Sequence, residues 1–274
     1  MASVELPARG RLEARLDELV VENRFTIAVV FPALGAVTLL ASAEGLLPGP
    51  LSFNPYFLLF GVAVMRLPLV AGLAPVFTRR AAAGFAALCG YTYAVELVGV
   101  RTGYPYGAFE YGIDLGPMVA GIPAALPLFF VPLVVNAYLL SLLLFGDAAR
   151  RATVRVPVVA AAVVGMDLVL DPGAVAVGFW AYEAGGLYYG VPWLNFAGWV
   201  LSATVSVLLV DAALDRERVL GRLESCRFML DDLVSFVILW GTINLYFGNW
   251  VPAALSAAYG YGLYRTDRFD FPER

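Results

Sequence analysis

Long apolar stretches alternate with short polar connections along the whole chain. Each stretch is close to twenty residues, the length that an α-helix needs to cross the hydrocarbon of a bilayer at a rise of about 1.5 Å per residue. The predicted spans are roughly residues 26–46, 56–76, 81–100, 118–145, 156–179, 194–214, 229–247 and 250–263. The pattern predicts an all-α, polytopic integral membrane helix bundle of about eight transmembrane helices, of which the eighth is the shortest.

Composition supports this interpretation. Of the 274 residues, 61% are hydrophobic and only 15% are charged, which is too apolar for a soluble domain of that size. The excess of apolar surface is therefore expected to face lipid in a multi-pass protein of the cell membrane.

The positions of the arginines predict the orientation. Every second connection is basic, whereas the alternate connections contain only Arg101. The basic groups are Arg9, Arg11, Arg15 and Arg24, then Arg79 and Arg80, then Arg150, Arg151 and Arg155, then Arg216, Arg218, Arg222 and Arg227, and finally Arg265, Arg268 and Arg274. Because basic connections are retained in the cytoplasm, both termini are predicted to be cytoplasmic.

Three segments follow from this topology. Residues 1–25 are predicted to form a cytoplasmic amphipathic segment with no cleavable signal peptide, because Leu12, Leu16 and Leu19 share a helical face opposite charged side chains. Residues 26–264 form the transmembrane helical domain, and residues 265–274 form a cytoplasmic tail.

Two residue types are absent and exclude several classes of protein. The sequence has no histidine, and all 18 basic residues are arginine. Without lysine no retinal Schiff base can form, and without histidine the His-ligated di-iron enzymes and haem proteins with an axial histidine are excluded. Cys89 and Cys226 are isolated, and no Gly-rich phosphate loop is present. We expect no cofactor, no metal and no nucleic-acid partner.

Ionisable residues inside the spans mark the candidate site, because a charge in hydrocarbon is costly. They are Arg66, Glu96, Asp167 and Asp171. The two aspartates are spaced i and i+4, so both carboxyls lie on one face of a helix. Two like charges in one apolar site cannot both ionise easily, so one carboxyl is expected to stay protonated. Pro172 leaves the carbonyl of Leu168 without its helical donor and predicts a kink beside the pair.

These acids are predicted to share one layer with other polar groups. Counted from the cytoplasmic ends, Glu96, Asp171 and Asn244 all lie about 22 Å across, with Asp167 one turn deeper and Asn195 at the same side. Arg66 is the buried cation available to compensate a carboxylate. Loops 101–117 and 180–193, both rich in Gly, Pro and aromatic residues, are predicted to form a lid over the layer. A purely structural polar network, or an interfacial aromatic belt, is the alternative interpretation.

Several motifs carry a resemblance to a known family. They are residues 96–107 (ELVGVRTGYPYG), Tyr111 with Leu115-Gly-Pro and Gly121-Ile-Pro, residues 167–172 (DLVLDP) and residues 189–199 (YGVPWLNFAGW). In these motifs the chain resembles the membrane carotenoid hydratases of haloarchaea, from the third to the sixth span. Phe129-Phe130 departs from the family pattern, where a tryptophan is expected.

The resemblance implies addition of water across the terminal double bond of a long acyclic carotenoid of the bisanhydrobacterioruberin type. Asp171 or Asp167 would protonate the alkene, the other aspartate would hold the water, and Glu96 would complete the network. The predicted catalytic residues are thus Asp167, Asp171 and Glu96. The predicted substrate-binding residues are Arg101, Tyr104, Tyr106, Tyr111, Trp180, Asn195, Trp199 and Asn244.

Two other functions remain open at this stage. A membrane carotenoid cyclase of the lycopene type also begins with protonation, but an internal alkene then captures the cation. A proton-coupled transporter or lipid-binding membrane protein would use the aspartates as a proton relay. The partners common to these readings are a long-chain carotenoid or another lipid and the bilayer itself, and the oligomeric state is not predicted.

Overall fold

The computed structural model describes residues 8–269, and within this range ten α-helices pack into a bundle. Their bounds are α1 Ala8–Glu22, α2 Phe31–Ala43, α3 Pro55–Leu73, α4 Arg79–Thr102, α5 Leu126–Phe145, α6 Ala152–Ala176, α7 Trp193–Ala213, α8 Arg216–Ser225, α9 Asp231–Tyr246 and α10 Trp250–Arg265. A π-helical turn, Thr26–Val30, leads directly into α2. The predicted all-α bundle is confirmed.

Seven helical segments are long and apolar enough to cross a membrane in the described part of the chain. They correspond to the first seven predicted spans. The eighth corresponds to α10, which has 16 residues and is about 24 Å long at the usual rise. Large apolar side chains such as Leu34, Val37, Phe57 and Phe60 are exposed on the outside of the bundle, as expected of surfaces that face lipid.

Side chains at the helix ends fix where several helices begin and stop. Asn54 accepts hydrogen bonds from the backbone N–H groups of the first turn of α3, and Thr78 does the same for α4. Helix α4 ends at Gly103, which has a φ of 70°, a left-handed conformation that glycine adopts without steric cost.

The fourth predicted span begins too early along the chain. It was expected from residue 118, but α5 begins at Leu126, because Met118–Val119 (β2) and Ile122–Pro123 (β3) form a small hairpin instead. Ala120 and Gly121 both have positive φ, and these values make the tight turn between the two strands.

Several arginine–aspartate pairs of the described residues are buried among the helices, toward the ends that carry the basic connections. They are Arg24 with Asp231, Arg66 with Asp232, and Arg155 with Asp211. Arg66 also donates to the carbonyl of Leu128, and Asn136 donates to Asp232. The expectation that Arg66 compensates a carboxylate of the candidate site is therefore wrong, because its partner is on α9.

The predicted amphipathic segment contains helix α1. Arg9 donates to the carbonyls of Ala74 and Phe77 at 2.9 and 2.8 Å, and Asp17 accepts from Arg222 at 2.8 Å. These bonds attach α1 to the ends of the neighbouring helices. Leu12 and Leu19 are exposed, whereas Leu16 packs against the core, so only part of the predicted apolar face is free. Residues 1–7 and 270–274 lie outside the described range.

Candidate functional site

The two aromatic loops pair into one small antiparallel sheet. Phe109–Tyr111 (β1) lies beside Trp180–Tyr182 (β4), with Phe109 opposite Tyr182 and Tyr111 opposite Trp180. Successive side chains of a strand point to opposite faces. The four aromatic side chains therefore share one face and line a cavity, while Glu110 and Ala181 are exposed on the other face. The two loops therefore cover the cavity together, as expected of the predicted lid.

The cavity below this sheet has a volume of about 850 Å³ and is mostly aromatic. Helices α4, α5, α6, α7 and α9 supply most of the rest of its lining, and Tyr106, Leu115, Pro123 and Phe179 come from the connections. Its polar side chains include Glu96, Asp171 and Asn195, and its rings include Phe129, Phe130, Phe179, Trp199 and Trp240. Within the described part of the chain, this lining contains two carboxyl groups and no basic side chain.

Asp171 is the aspartate that faces the cavity. Its Oδ2 accepts hydrogen bonds from the hydroxyl of Tyr182 at 2.8 Å and from Nδ2 of Asn195 at 2.6 Å. The same amide nitrogen lies 3.1 Å from Oδ2 of Asp167. Asp167 is completely buried one helical turn away, contacts the carboxyl of Asp171, and does not line the cavity. The i and i+4 spacing brings the acids together as predicted, but only one of them reaches the cavity.

Pro172 frees a backbone carbonyl beside the pair, and a loop side chain binds it. Helix α6 continues through Pro172 to Ala176. The carbonyl of Leu168 accepts a hydrogen bond of 3.2 Å from the hydroxyl of Tyr188, which belongs to the connection before α7. This bond replaces the one that proline cannot donate.

Glu96 brings a second carboxyl to the cavity from α4. It accepts a hydrogen bond from the hydroxyl of Tyr111 on β1. Burial raises the pKa of Tyr111, and the charge of Glu96 raises it further. Burial likewise raises the pKa of Tyr182, with further increases from Asp171 and Asp167. Both phenols therefore remain protonated and act as donors to the carboxyls.

The Asn-Phe-Ala-Gly-Trp motif occupies the first two turns of α7. Asn195 and Trp199 are four residues apart and both line the cavity, as helical spacing requires. Gly198 lies between them on nearly the same face, where a Cβ atom would lie 2.7 Å from the carbonyl oxygen of Pro105. Glycine thus allows the loop with Tyr106 to pack against α7. Trp199 stacks on Phe130, with ring centroids 4.9 Å apart, so a phenylalanine supplies the ring at the position where the family pattern led us to expect a tryptophan.

Seven of the eleven predicted site residues line this cavity, and the other four, of which Asp167 has been described above, do not. The residues that line it are Asp171, Glu96, Tyr106, Tyr111, Trp180, Asn195 and Trp199. Arg101 and Tyr104 are exposed near the end of α4 and do not line it. Asn244 lies behind it and donates to the carbonyl of Val169 at 2.8 Å, so it joins α9 to α6. Asn244 thus fits the alternative of a structural polar network.

Sequence reasoning missed several lining residues, and Tyr182 is the most informative. It lies two residues after Trp180, which is the spacing that places two strand residues on one face. Phe109 has the same relation to Tyr111. Reading the loops as strands would have found both residues.

The indole of Trp180 lines the cavity and has an unpaired donor. Its Nε1 is buried and has no hydrogen-bond acceptor among the described residues. Such groups normally find a partner, which makes this N–H a candidate donor to a bound molecule. No group of three or more Cys, Asp or Glu side chains within residues 8–269 is placed to hold a metal ion.

Comparison with known proteins shows the family of this chain. The sequence model of a family described as carotenoid biosynthesis protein matches residues 53–263. The chain is 64% identical over 259 residues to bisanhydrobacterioruberin hydratase of Haloarcula japonica, which covers 94% of this chain and 88% of that protein. No solved structure matches the chain.

Proposed function

Because the chain belongs to the carotenoid biosynthesis protein family, we propose that it is a carotenoid hydratase. It adds water across the terminal double bond of a long acyclic carotenoid, such as bisanhydrobacterioruberin, and gives a tertiary alcohol. The resemblance of the motifs supports this function, and so does the similarity of the chain to bisanhydrobacterioruberin hydratase.

One observation carries the proposal. Asp171, one member of a buried aspartate pair, lines an aromatic cavity together with the carboxyl of Glu96. Asp171 and Glu96 reach this cavity from different helices. Hydration of an isolated alkene needs a positioned acid, a surrounding that tolerates a carbocation and an ordered water molecule. Asp171 would supply the acid, the aromatic rings would surround the carbocation, and Glu96 would hold the water.

In the first step Asp171 donates its proton to the less substituted carbon of the terminal double bond. The π electrons form the new C–H bond, and a tertiary carbocation remains on the other carbon. Two carboxyls that share the amide of Asn195 in an apolar surrounding cannot both ionise easily, so the Asp167–Asp171 pair retains one proton. Asp167 therefore helps to keep a proton on Asp171 and does not touch the substrate.

In the second step water captures the carbocation. Its oxygen forms the new C–O bond, and its surplus proton passes to the carboxylate of Glu96. This proton returns to Asp171 before the next turnover, so the net reaction is the addition of one water molecule. Sequence reasoning gave the role of holding the water to the second aspartate; Glu96 takes it here because Asp167 does not face the cavity.

Aromatic groups assist both steps. The faces of Trp180, Trp199 and Tyr111 attract positive charge but are poor nucleophiles, so they stabilise the carbocation without trapping it. The buried N–H of Trp180 can hold the water through its oxygen. No cofactor or metal enters this mechanism, which takes place in a multi-pass protein of the cell membrane.

The test is the pigment made when the gene is expressed in cells that accumulate bisanhydrobacterioruberin. The proposal predicts a product heavier by one or two water molecules, and in heavy-oxygen water the label appears in the new hydroxyl. A cyclised product of unchanged mass would identify a cyclase, and unchanged pigment would leave a transporter or lipid-binding protein. Activity should also survive dialysis against a chelator without added nucleotide or flavin.

A further inference from the structure

A second cavity adjoins the proposed active site. It lies between α2, α3 and α9 and contains about 1350 Å³ of empty space, part of which is open to the outside of the protein. Its lining extends along α3 from Asn54 to Arg66, a distance of about 18 Å at the rise of an α-helix. This shape suits an extended molecule better than a compact one.

The two cavities share part of their lining. Phe129, Leu170, Phe179 and Trp240 line both of them. These four side chains lie where the two cavities meet, and Leu170 precedes Asp171 directly on α6. A long molecule with its end group beside Asp171 would extend past these side chains to reach the second cavity.

The second cavity offers almost no polar partner to a ligand. Each polar side chain in its lining already forms a hydrogen bond within the protein: Thr38, Ser42, Asn54, Arg66 and Ser235. The remaining lining is Phe, Leu, Val, Met, Trp and Gly. A ligand in this cavity would gain most of its affinity from apolar contact.

The cavity is open toward the outer surface of the bundle. Thr38 on α2 and Phe57 on α3 line it and are themselves exposed. Around them the surface is apolar, with Leu34, Val37 and Phe60 exposed. The opening therefore faces the hydrocarbon of the bilayer, where an acyclic carotenoid dissolves.

We propose that this second cavity binds the polyene chain of the carotenoid, and that the opening between α2 and α3 admits the substrate from the bilayer. The inference rests on the proposed function and extends it from the reacting end group to the remainder of the substrate. It makes Gly61 a residue that sets substrate length, because it lines the cavity and a Cβ atom there would meet nothing within 4 Å.

The test replaces Gly61 by phenylalanine to fill the cavity from α3. Two substrates are compared: bisanhydrobacterioruberin and a short synthetic analogue that has the same end group but lacks the polyene. We expect the ratio of long-substrate to short-substrate hydration to fall by about tenfold or more relative to the wild type. Thr38→Phe narrows the opening from α2 and should lower the same ratio. This variant tests the inference if Gly61→Phe does not fold.

Gly90→Phe is the matched control. Gly90 is an exposed position of α4 where a Cβ atom also meets nothing within 4 Å, and it lines neither cavity. Its variant should keep the wild-type ratio. An unchanged ratio in a folded Gly61→Phe protein would overturn the inference and leave the cavity to a bilayer lipid. An equal loss on both substrates would also overturn it. If the wild type hydrated neither substrate, the proposed function itself would fail.

Discussion

The hydroxyl of Tyr182 donates a hydrogen bond of 2.8 Å to Oδ2 of Asp171, and this bond joins the lid strand β4 to the acid on α6. Replacing Tyr182 by phenylalanine keeps the ring in the cavity and removes the donor. Asp171 becomes charged as it gives up its proton, and a hydrogen bond to a charged group contributes about 1.5–3 kcal/mol, so we expect hydration to slow about 10- to 100-fold. The measurement is the rate of product formation by purified protein.

Tyr104→Phe makes the same chemical change at an exposed position that does not line the cavity. It should hydrate at the wild-type rate. Equal losses in the two variants would remove the specific role of the bond between Tyr182 and Asp171.

Trp180→Phe tests the free indole donor. The variant keeps an aromatic face against the carbocation but loses the buried N–H, so the water is held less well. We expect hydration to fall about tenfold, the effect of losing one ordinary hydrogen bond, and part of the carbocation to lose a proton and give an isomerised alkene. Chromatography of the pigments separates the two products, and Trp250→Phe at an exposed position is the control.

Alkaline pH should destabilise the protein through its loop tyrosines. Burial raises the pKa of Tyr106, Tyr111 and Tyr182 above the usual value near 10. Above that pH the unfolded chain releases protons that the folded state retains, so the free energy of unfolding falls as the pH rises. The midpoint of thermal unfolding in detergent should therefore decrease above about pH 10. Tyr106→Phe should make the decrease shallower, and an unaltered slope would contradict this assignment.

Orientation in the membrane remains a prediction from the arginines. Reporter fusions after Arg80, Arg151, Arg222 and Arg274 should all report the cytoplasm, because each follows a basic connection. A non-cytoplasmic signal after Arg274 would show that α10 does not cross the bilayer.

Hydrophobic length and helical spacing were sufficient to predict much of this molecule. Seven of the eight predicted spans correspond to long apolar helices. The spacing of Asp167 and Asp171 correctly placed both acids together, and the spacing of Asn195 and Trp199 placed both on one face of α7. These features depend on periodicity within a single helix, which the sequence contains.

Contacts between distant segments could not be obtained in this way. Arg66 pairs with Asp232, 166 residues further along the chain, and periodicity gives no sign of that pairing. Which of two acids on one face reaches the cavity depends on how α6 is rotated against its neighbours. The chain turns at Gly103, so Tyr104 lies outside while Tyr106, two residues later, is buried in the lining.

Replacement of Asp167 and replacement of Glu96 should lower the rate of hydration to different extents. Asp167→Asn leaves Asp171 in the cavity but removes the carboxyl that shares its proton, and Glu96→Gln removes the acceptor for the water's proton. Loss of a positioned acid or base typically lowers a rate by 10²–10⁴-fold. We expect nearly complete loss of hydration for Asp167→Asn and a smaller loss for Glu96→Gln, measured as product per folded protein.

Asp171→Asn is the most direct test of the proposed mechanism, since it keeps the size and hydrogen bonding of the acid that faces the cavity and removes its proton. The wild type and the variant should be expressed in cells that accumulate bisanhydrobacterioruberin, and the pigments should be analysed by mass. We predict that wild-type cells add one or two water molecules, whereas the variant, extracted folded in equal amount, adds none that can be measured. Hydrated pigment at the wild-type level in the Asp171→Asn cells would contradict the mechanism.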